Sequence, residues 1–127
     1  MPVIYQSRIY RADLQANRNV LYVFGDNVRR AGYGGQAKEM RGEKNAVGVA
    51  TKWFPAMKPE AFFSDAKHDE QRAIIASDLA PVISALKAGR IIVWPMDDIG
   101  TGLSDLPNQA PVTWNWLLWF REEHNIK

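Results

Sequence analysis

Two glycine-rich segments of this 127-residue chain carry the residues best suited to chemistry. The first reads GDNVRRAGYGGQ over residues 25–36 and has three glycines in the four positions 32–35. Glycine lets the backbone approach a ligand closely and exposes consecutive N–H groups, which bind anions. A helix predicted after Gly35 points its positive N-terminal end at the same place. We interpret the segment as an anion-binding loop, with a plain strand-to-helix turn as the alternative.

The second segment reads DDIGTGLSDLP over residues 97–107. Gly100 and Gly102 again offer backbone N–H groups, and Thr101 between them adds a hydroxyl donor. Asp97 and Asp98 have oxygens that suit a metal ion, but a lone carboxylate pair is more typical of a turn or a helix cap. No metal and no cofactor are therefore predicted. Neither segment matches the Walker loop or the G-x-G-x-x-G dinucleotide fingerprint.

The pattern of apolar residues predicts the elements that position these two segments. Strands are predicted over residues 3–10, 20–24, 46–50 and 90–94, a loop over 53–63, and helices over 12–17 (one short turn), 36–41, 75–86 with a kink or break at Pro81, and 111–124. Alternation of strands and helices favours a mainly parallel sheet covered on both faces. The predicted fold class is α/β, with one three-layer α/β/α domain over residues 1–127.

Both glycine-rich segments directly follow a predicted strand. Ligands of parallel sheets bind beyond the carboxyl ends of the strands, where the loops that follow them converge. We therefore expect the two segments to meet at one edge of the sheet and to form one binding site.

Composition narrows the class of protein. A hydrophobic share of 46% and a charged share of 24% are typical of a globular domain. The absence of cysteine excludes disulfides, thiolate chemistry and cysteine-based metal sites. No apolar run approaches the roughly 20 residues that span a bilayer, and the N-terminus has no signal-peptide pattern. We expect a cytoplasmic, monomeric protein without a membrane partner, of a kind that suits a bacterium or a phage.

The charges are unevenly distributed, although the net charge is only +2. Basic residues outnumber acidic ones between positions 29 and 58, where Glu39 and Glu43 are the acidic residues. The basic residues of this stretch are Arg29, Arg30, Lys38, Arg41, Lys44, Lys52 and Lys58. Two interpretations stay open, a solvated basic face and an anion-attracting rim around a phosphate site.

The two segments together resemble the macrodomain family of ADP-ribose binders and hydrolases. The resemblance rests on VLYVFGDNVRRAGYGGQA and IIVWPMDDIGTGLSDLP and extends from Val20 to Trp119. It implies that the pyrophosphate of ADP-ribose lies between the two loops and that Asn27 contacts the distal ribose. The residues implied to bind the ligand are Gly25, Asn27, Gly32, Tyr33, Gly34, Gly35, Gln36, Thr51, Ile99, Gly100, Thr101, Gly102 and Leu103.

One branch of that family is more similar, the terminal ADP-ribose glycohydrolases and DarG-type antitoxins. Its members have a Thr-Lys pair after the third strand and an aspartate after the second loop, which Thr51-Lys52 and Asp105 match. The resemblance implies that the amine of Lys52 attacks the anomeric carbon or polarises the opening ribose, and that Asp105, or Asp26 in its place, is the general acid/base. Asp105 lies one position later than in the branch, with Ser104 at the expected place. A surface role for Lys52 and a capping or solvated role for Asp105 are the alternatives.

Aromatic residues and charge leave three functional classes open. Tyr33 and Trp53 lie in or beside the loops and are candidates to stack on a base or ribose, whereas Trp114, Trp116 and Trp119 suit the core. The first class is a hydrolase acting on ADP-ribosylated protein or nucleic acid. The second is a non-catalytic reader of ADP-ribose or a related nucleotide. The third is a nucleic-acid-associated module, whose binding would depend steeply on salt.

Overall fold

The structure, a computed structural model, describes residues 3–127. In this part of the chain the strands are β1 (Val3–Gln6), β2 (Leu21–Asn27), β3 (Ala46–Lys52) and β4 (Ile92–Pro95). The helices are α1 (Arg11–Ala16), α2 (Ala37–Met40), α3 (His68–Lys87), α4 (Leu106–Gln109) and α5 (Pro111–Glu123), and two 3₁₀ turns cover Pro59–Ala61 and Asp65–Lys67.

The four strands form one sheet in the order β1-β4-β2-β3, and every neighbouring pair is parallel. Each connection therefore returns to the start of the next strand through a helix. The two central strands are apolar along most of their length because both of their faces are covered. The predicted α/β fold with a mainly parallel sheet is confirmed.

Alternation along the strands separates two apolar clusters on opposite faces of the sheet. Leu21 and Val23 of β2 pack in the cluster that includes residues of α3 and α5. Tyr22 and Phe24, which point the other way, pack with Leu14 of α1 and with α2. The sheet thus lies between two helical layers.

The strands differ from prediction at their ends. β2 does not stop before Gly25 but continues through Asn27, because it stays paired with β3, which itself extends beyond Ala50 to Lys52. The pairing shifts register between Asp26 and Asn27. β1 is shorter than predicted and ends at Gln6, which pairs with the last residue of β4. The segment GDN therefore belongs to a strand and not to a loop.

The helices also differ from prediction in length. α2 has only four residues, so it has little of the dipole expected at the first loop. α3 runs without interruption through Pro81, since Leu79 and Val82 on either side of the proline are fully buried and hold it against the core. In the described residues no helix is both long and apolar enough to cross a membrane.

α5 begins at Pro111, as predicted, but its tryptophans do not all join the core. Trp114 and Trp116 are half-buried and pack against the cluster that contains Leu117. Trp119 is 56% exposed because it lies two residues, about 200° of helix, beyond the fully buried Leu117. The expectation of a core role was wrong for Trp119.

Candidate functional site

A cleft of about 820 Å³ opens at the carboxyl ends of β2, β3 and β4. Two connections line it, the first glycine loop (residues 28–36, between β2 and α2) and the second glycine loop (residues 96–105, between β4 and α4). Among the expected site residues, Gly25, Asp26, Asn27, Gly32, Tyr33, Gly34, Gly35, Gln36, Lys52, Ile99, Gly100, Thr101, Gly102 and Leu103 line this cleft. The prediction that both glycine-rich segments meet at one edge of the sheet is confirmed.

The two loops approach each other across the cleft. A Cβ built on Gly34 lies 4.0 Å from Cδ1 of Leu103, so one added side chain at Gly34 meets the opposite loop. The main-chain N–H groups of residues 32–35 and 100–104 donate to no acceptor in the part of the chain that the structure describes. Unpaired N–H groups on both sides of a cleft can bind the oxygens of an anion.

Gly100 shows why a glycine is needed at the floor of the cleft. Its φ is +80°, a conformation that side chains other than glycine rarely adopt, and a Cβ there would lie 3.1 Å from Cβ of Leu106. Its own nitrogen lies 3.7 Å from the position of a Cβ on Gly25, where the second loop crosses the end of β2. The backbone of the second glycine loop at Gly100 therefore packs against the backbone of β2 at Gly25.

Lys52 is a buried cation that lines the cleft. It is 7% exposed, and its Nζ lies 4.7 Å from the ring centroid of Phe62 and 3.5 Å from Sδ of Met57. No carboxylate lies within ion-pair distance of it among residues 3–127. Burial without a counter-charge disfavours the ammonium and lowers the pKa of Lys52. The alternative of a surface lysine is wrong.

Asp26 lies at the floor of the cleft with its charge fully engaged. Its carboxylate accepts two hydrogen bonds from Arg41, at 2.6 Å and 3.1 Å, and faces Arg30 at 3.7 Å. It also accepts the backbone N–H of Asn27 at 2.8 Å. The oxygens of Asp26 are thus engaged within the protein, by two guanidinium groups and one backbone N–H.

The side chain of Asn27 holds the first glycine loop. Its Nδ2 donates to the carbonyl of Ala31 at 2.8 Å, and its backbone carbonyl accepts the N–H of Arg30 at 3.0 Å. Asn27 is 7% exposed and lines the cleft, so its second amide hydrogen is the part left to contact a ligand. Gln36 at the end of this loop has a buried Oε1 without a hydrogen-bond donor in residues 3–127.

The aspartates of the second glycine loop form a turn. Asp98 accepts hydrogen bonds from Arg121 at 3.1 Å and from the indole N–H of Trp94 at 2.8 Å. The hydroxyl of Thr101 donates to the carbonyl of Asp97, so it is not the free donor that we expected. Within the described residues no three metal-ligating side chains come together.

The structure does not bring Thr51 or Asp105 into the lining of the cleft. Thr51 is fully buried, and its Oγ1 is 2.7 Å from Oγ of Ser104, which does line the cleft. Asp105 precedes α4 with φ +46°, and its Oδ1 accepts a hydrogen bond from Asn108 at 2.8 Å. Asp105 occupies the N-cap position of α4, but its side chain makes no capping hydrogen bond to the helix backbone in the described residues. Ser104, at the place expected for the aspartate, lines the cleft instead.

Apolar side chains from three separate segments surround the mouth of the cleft. Tyr33 is 66% exposed, Met57 62% and Leu103 65%, and all three line it. Trp53 does not join them. Its ring packs edge-on against Phe63 at 4.8 Å, and it packs against the apolar cluster of the core that contains Phe63.

Polar and apolar residues that line the cleft were not predicted as site residues, and Arg41, Ser104 and Met57 are among them. Arg41 appeared only in the basic stretch, Ser104 only as the residue at the place of the expected aspartate, and Met57 in a segment interpreted as loop. A signal existed for Ser104, because the branch pattern itself points to that position. Nothing in the local sequence indicates that Arg41 pairs with Asp26, which is fifteen residues away.

Comparison with known proteins gives a family. No curated protein and no solved structure matches the chain. One family model, described as a family of unknown function (DUF7831), matches residues 4–119, a range that contains every residue lining the cleft. The chain belongs to this family, DUF7831.

Proposed function

We propose that the protein binds ADP-ribose, free or attached to a macromolecule, in the cleft between the two glycine loops. The observation that carries the proposal is the row of main-chain N–H groups on both sides of one cleft, at residues 32–35 and 100–104, that have no acceptor within residues 3–127. A diphosphate has oxygens on both sides and suits two facing rows of donors.

The charge of the cleft supports an anionic ligand. Lys52 is buried without a carboxylate partner in the described residues, and an unpaired buried ammonium costs free energy. A phosphate or carboxylate that enters the cleft supplies the missing counter-charge. Neutral ligands do not, so we expect adenosine to bind more weakly than ADP-ribose.

The shape of the cleft supports a ligand of nucleotide size. Small-molecule pockets usually have volumes of about 300–1,000 Å³, and this cleft has about 820 Å³. Tyr33, Met57 and Leu103 at the mouth offer apolar surface for a base or a ribose, while Asn27 at the floor offers an amide hydrogen. The resemblance of both segments to macrodomains points to the same ligand.

Removal of ADP-ribose from an acceptor is the second candidate function, and one observation favours it. The lowered pKa of Lys52 increases the fraction of free amine, which is the form that attacks carbon. The positions of the carboxylates favour binding without hydrolysis. Asp26 and Asp98 are held by arginines, and Asp105 lies outside the lining of the cleft.

The first experiment is calorimetric titration with ADP-ribose, with ADP, NAD and adenosine as comparison ligands. We expect saturable binding of ADP-ribose that is lost in Gly34→Glu, because the new carboxylate meets the ligand between the loops. Gly34 has no positive φ, so the backbone tolerates the change. Ala80→Glu, on the exposed side of α3, adds the same charge elsewhere and should bind as the wild type does.

No binding of ADP-ribose at millimolar concentration would reject the proposal. Binding of single-stranded nucleic acid without a diphosphate requirement, with an affinity that falls steeply with salt, would favour the nucleic-acid module instead.

The second candidate is tested by reductive trapping. The amine of Lys52 and the C1 aldehyde of ring-opened ADP-ribose would lose water to form an imine, which borohydride reduces to a stable secondary amine. Mass spectrometry should find the adduct on Lys52 and not in Lys52→Met. Lys58→Met removes an exposed lysine of the next segment and should leave trapping unchanged.

A further inference from the structure

A buried carboxylate lies among the residues that line the cleft of the proposed anion site. The side chain of Asp26 is 3% exposed, and its residue lines the cleft. Gly48 of the neighbouring strand makes room for it, since a Cβ on Gly48 would lie 2.4 Å from Oδ2 of Asp26. The carboxylate therefore occupies a space that the sheet keeps open for it.

Arg41 joins this carboxylate to the first glycine loop. Its two terminal nitrogens bond to Asp26 at 2.6 Å and 3.1 Å, and its Nε donates to the carbonyl of Gly32 at 2.8 Å. One terminal nitrogen also reaches the carbonyl of Ala31 at 3.3 Å. The hydrogen bonds that Arg41 donates thus fix the carbonyls of Ala31 and Gly32, in the loop whose N–H groups line the cleft.

A second arginine, which lies within the first glycine loop itself, contacts α3 and β3. Arg30 reaches Asp78 of α3 at 2.6 Å and the carbonyl of Gly48 at 3.3 Å. Its side chain is 40% exposed and 3.7 Å from Asp26, so it neutralises the carboxylate less than Arg41, which is 15% exposed. Arg41 is the main counter-charge.

An anion bound above Asp26 is repelled unless that carboxylate is neutralised. We propose that Arg41 is a positioning residue of the cleft, which acts by neutralising Asp26 and by holding the carbonyls of the first glycine loop so that its N–H groups stay available. The first part of its effect, on an anionic ligand, rests on the proposed function. The second part, on the shape of the loop, concerns the protein without ligand.

The test of loop positioning is a measurement of backbone order parameters by NMR on the ligand-free protein. We expect residues 31–35 to be ordered in the wild type, at about 0.8 or above, and to fall below about 0.6 in Arg41→Gln. Arg18→Gln is the matched control, because Arg18 bonds to Glu43 at 2.7 Å and to Asn45 at 2.9 Å and does not line the cleft. Its loop should remain as ordered as in the wild type.

The test of neutralisation is titration with ADP-ribose. Arg41→Gln should weaken binding at least tenfold, and Asp26→Asn combined with Arg41→Gln should bind at least fivefold more tightly than Arg41→Gln alone, because the uncompensated carboxylate is gone. A double variant that binds no more tightly would mean that the guanidinium contacts the ligand itself, which overturns the proposal.

The titration and the order parameters test the two parts of the proposal independently. If the wild type does not bind ADP-ribose, the proposed function fails, while the order parameters still decide the role of Arg41 in the loop. Unchanged order parameters in folded Arg41→Gln overturn that role. If Arg41→Gln does not fold, the order parameters of residues 31–35 are measured in the double variant, from which both charges of the Asp26–Arg41 pair are absent, and should fall below about 0.6 there.

Discussion

The two glycine loops face the same cleft but are held in place by different means. The first is held by charged and polar side chains that reach it from other elements, chiefly Arg41 and Asn27. The second is also bonded from outside, at Asp98 by Arg121 and at Ser104 by Thr51, but its turn at Gly100 is shaped by backbone. Gly100 has a positive φ, and its carbonyl accepts the N–H of Leu106 at 2.7 Å. Equivalent donors can thus be presented by a loop that depends mainly on side-chain anchors or by one that depends on a glycine turn as well.

This difference predicts which loop each substitution disturbs. Side-chain anchors fail when a charge is removed or displaced, whereas a backbone-shaped loop fails when a Cβ is added. The following changes test the comparison in order of expected size.

Gly48→Ala should have the largest effect and should act on the first loop. The new Cβ meets Oδ2 of Asp26 at 2.4 Å, so the carboxylate must leave Arg41. We expect a loss of about 3 kcal/mol in the free energy of unfolding, since breaking a buried ion pair leaves an uncompensated charge. Urea denaturation measures it.

The control for Gly48→Ala is the same change in an Asp26→Ala background. There the oxygen at 2.4 Å is absent, and the cost should fall to about 1 kcal/mol. An equal loss in both backgrounds would show that the carboxylate is not what the Cβ displaces.

Gly100→Ala should disturb the second loop by about 2 kcal/mol. The residue has φ +80°, and the added Cβ approaches Leu106 at 3.1 Å, so both strain and overpacking act against it. Gly102→Ala is the matched control in the same loop, because its φ is not positive and no atom lies within 4 Å of its Cβ. Comparable losses in the two variants would contradict this account of the loop.

Thr51→Val should cost about 1 kcal/mol and should affect the second loop through Ser104. The change removes a buried hydroxyl that lies 2.7 Å from Oγ of Ser104 and leaves that partner unpaired. The order parameters of residues 31–35 should not change. Ser104→Val in the same assay separates the hydroxyl pair from the packing of Thr51, and it should cost no more than Thr51→Val.

Lys52 should make the smallest difference to stability but the clearest difference with pH. Because burial lowers its pKa, the folded protein releases this proton before the unfolded chain does, and stability rises as pH increases from the lowered pKa toward the ordinary lysine value. Below the lowered pKa, Lys52 is protonated in the folded protein, and the full cost of burying its charge lowers the free energy of unfolding. Lys52→Met removes the penalty and should raise the free energy of unfolding near neutral pH by about 1 kcal/mol.

Lys52 should also differ from both loops in how its contribution to ligand affinity depends on pH. Backbone N–H groups do not titrate in this range, whereas the ammonium of Lys52 does. The affinity for ADP-ribose should therefore fall as pH rises through the lowered pKa, and Lys52→Met should show no such fall. A persistent fall in that variant would assign the titration to another group.

Much of the fold follows from local patterns. The runs that predict β2, β3 and β4 are continuous and apolar, and the position of Pro111 predicts the start of α5, because these signals depend on neighbours in the chain. The ends of β2 and β3 were not predictable, since pairing between two distant strands carries them past Gly25 and Ala50.

The sequence alone determined that two glycine-rich segments follow strands of a parallel sheet, and hence that they share one edge. Tertiary structure decided which side chains reach that edge. It brought Arg41 to Asp26, placed Ser104 but not Asp105 in the lining of the cleft, and buried Lys52 without a carboxylate partner among residues 3–127. Glycine and strand signals are local, whereas burial and charge pairing depend on contacts between residues far apart in the chain.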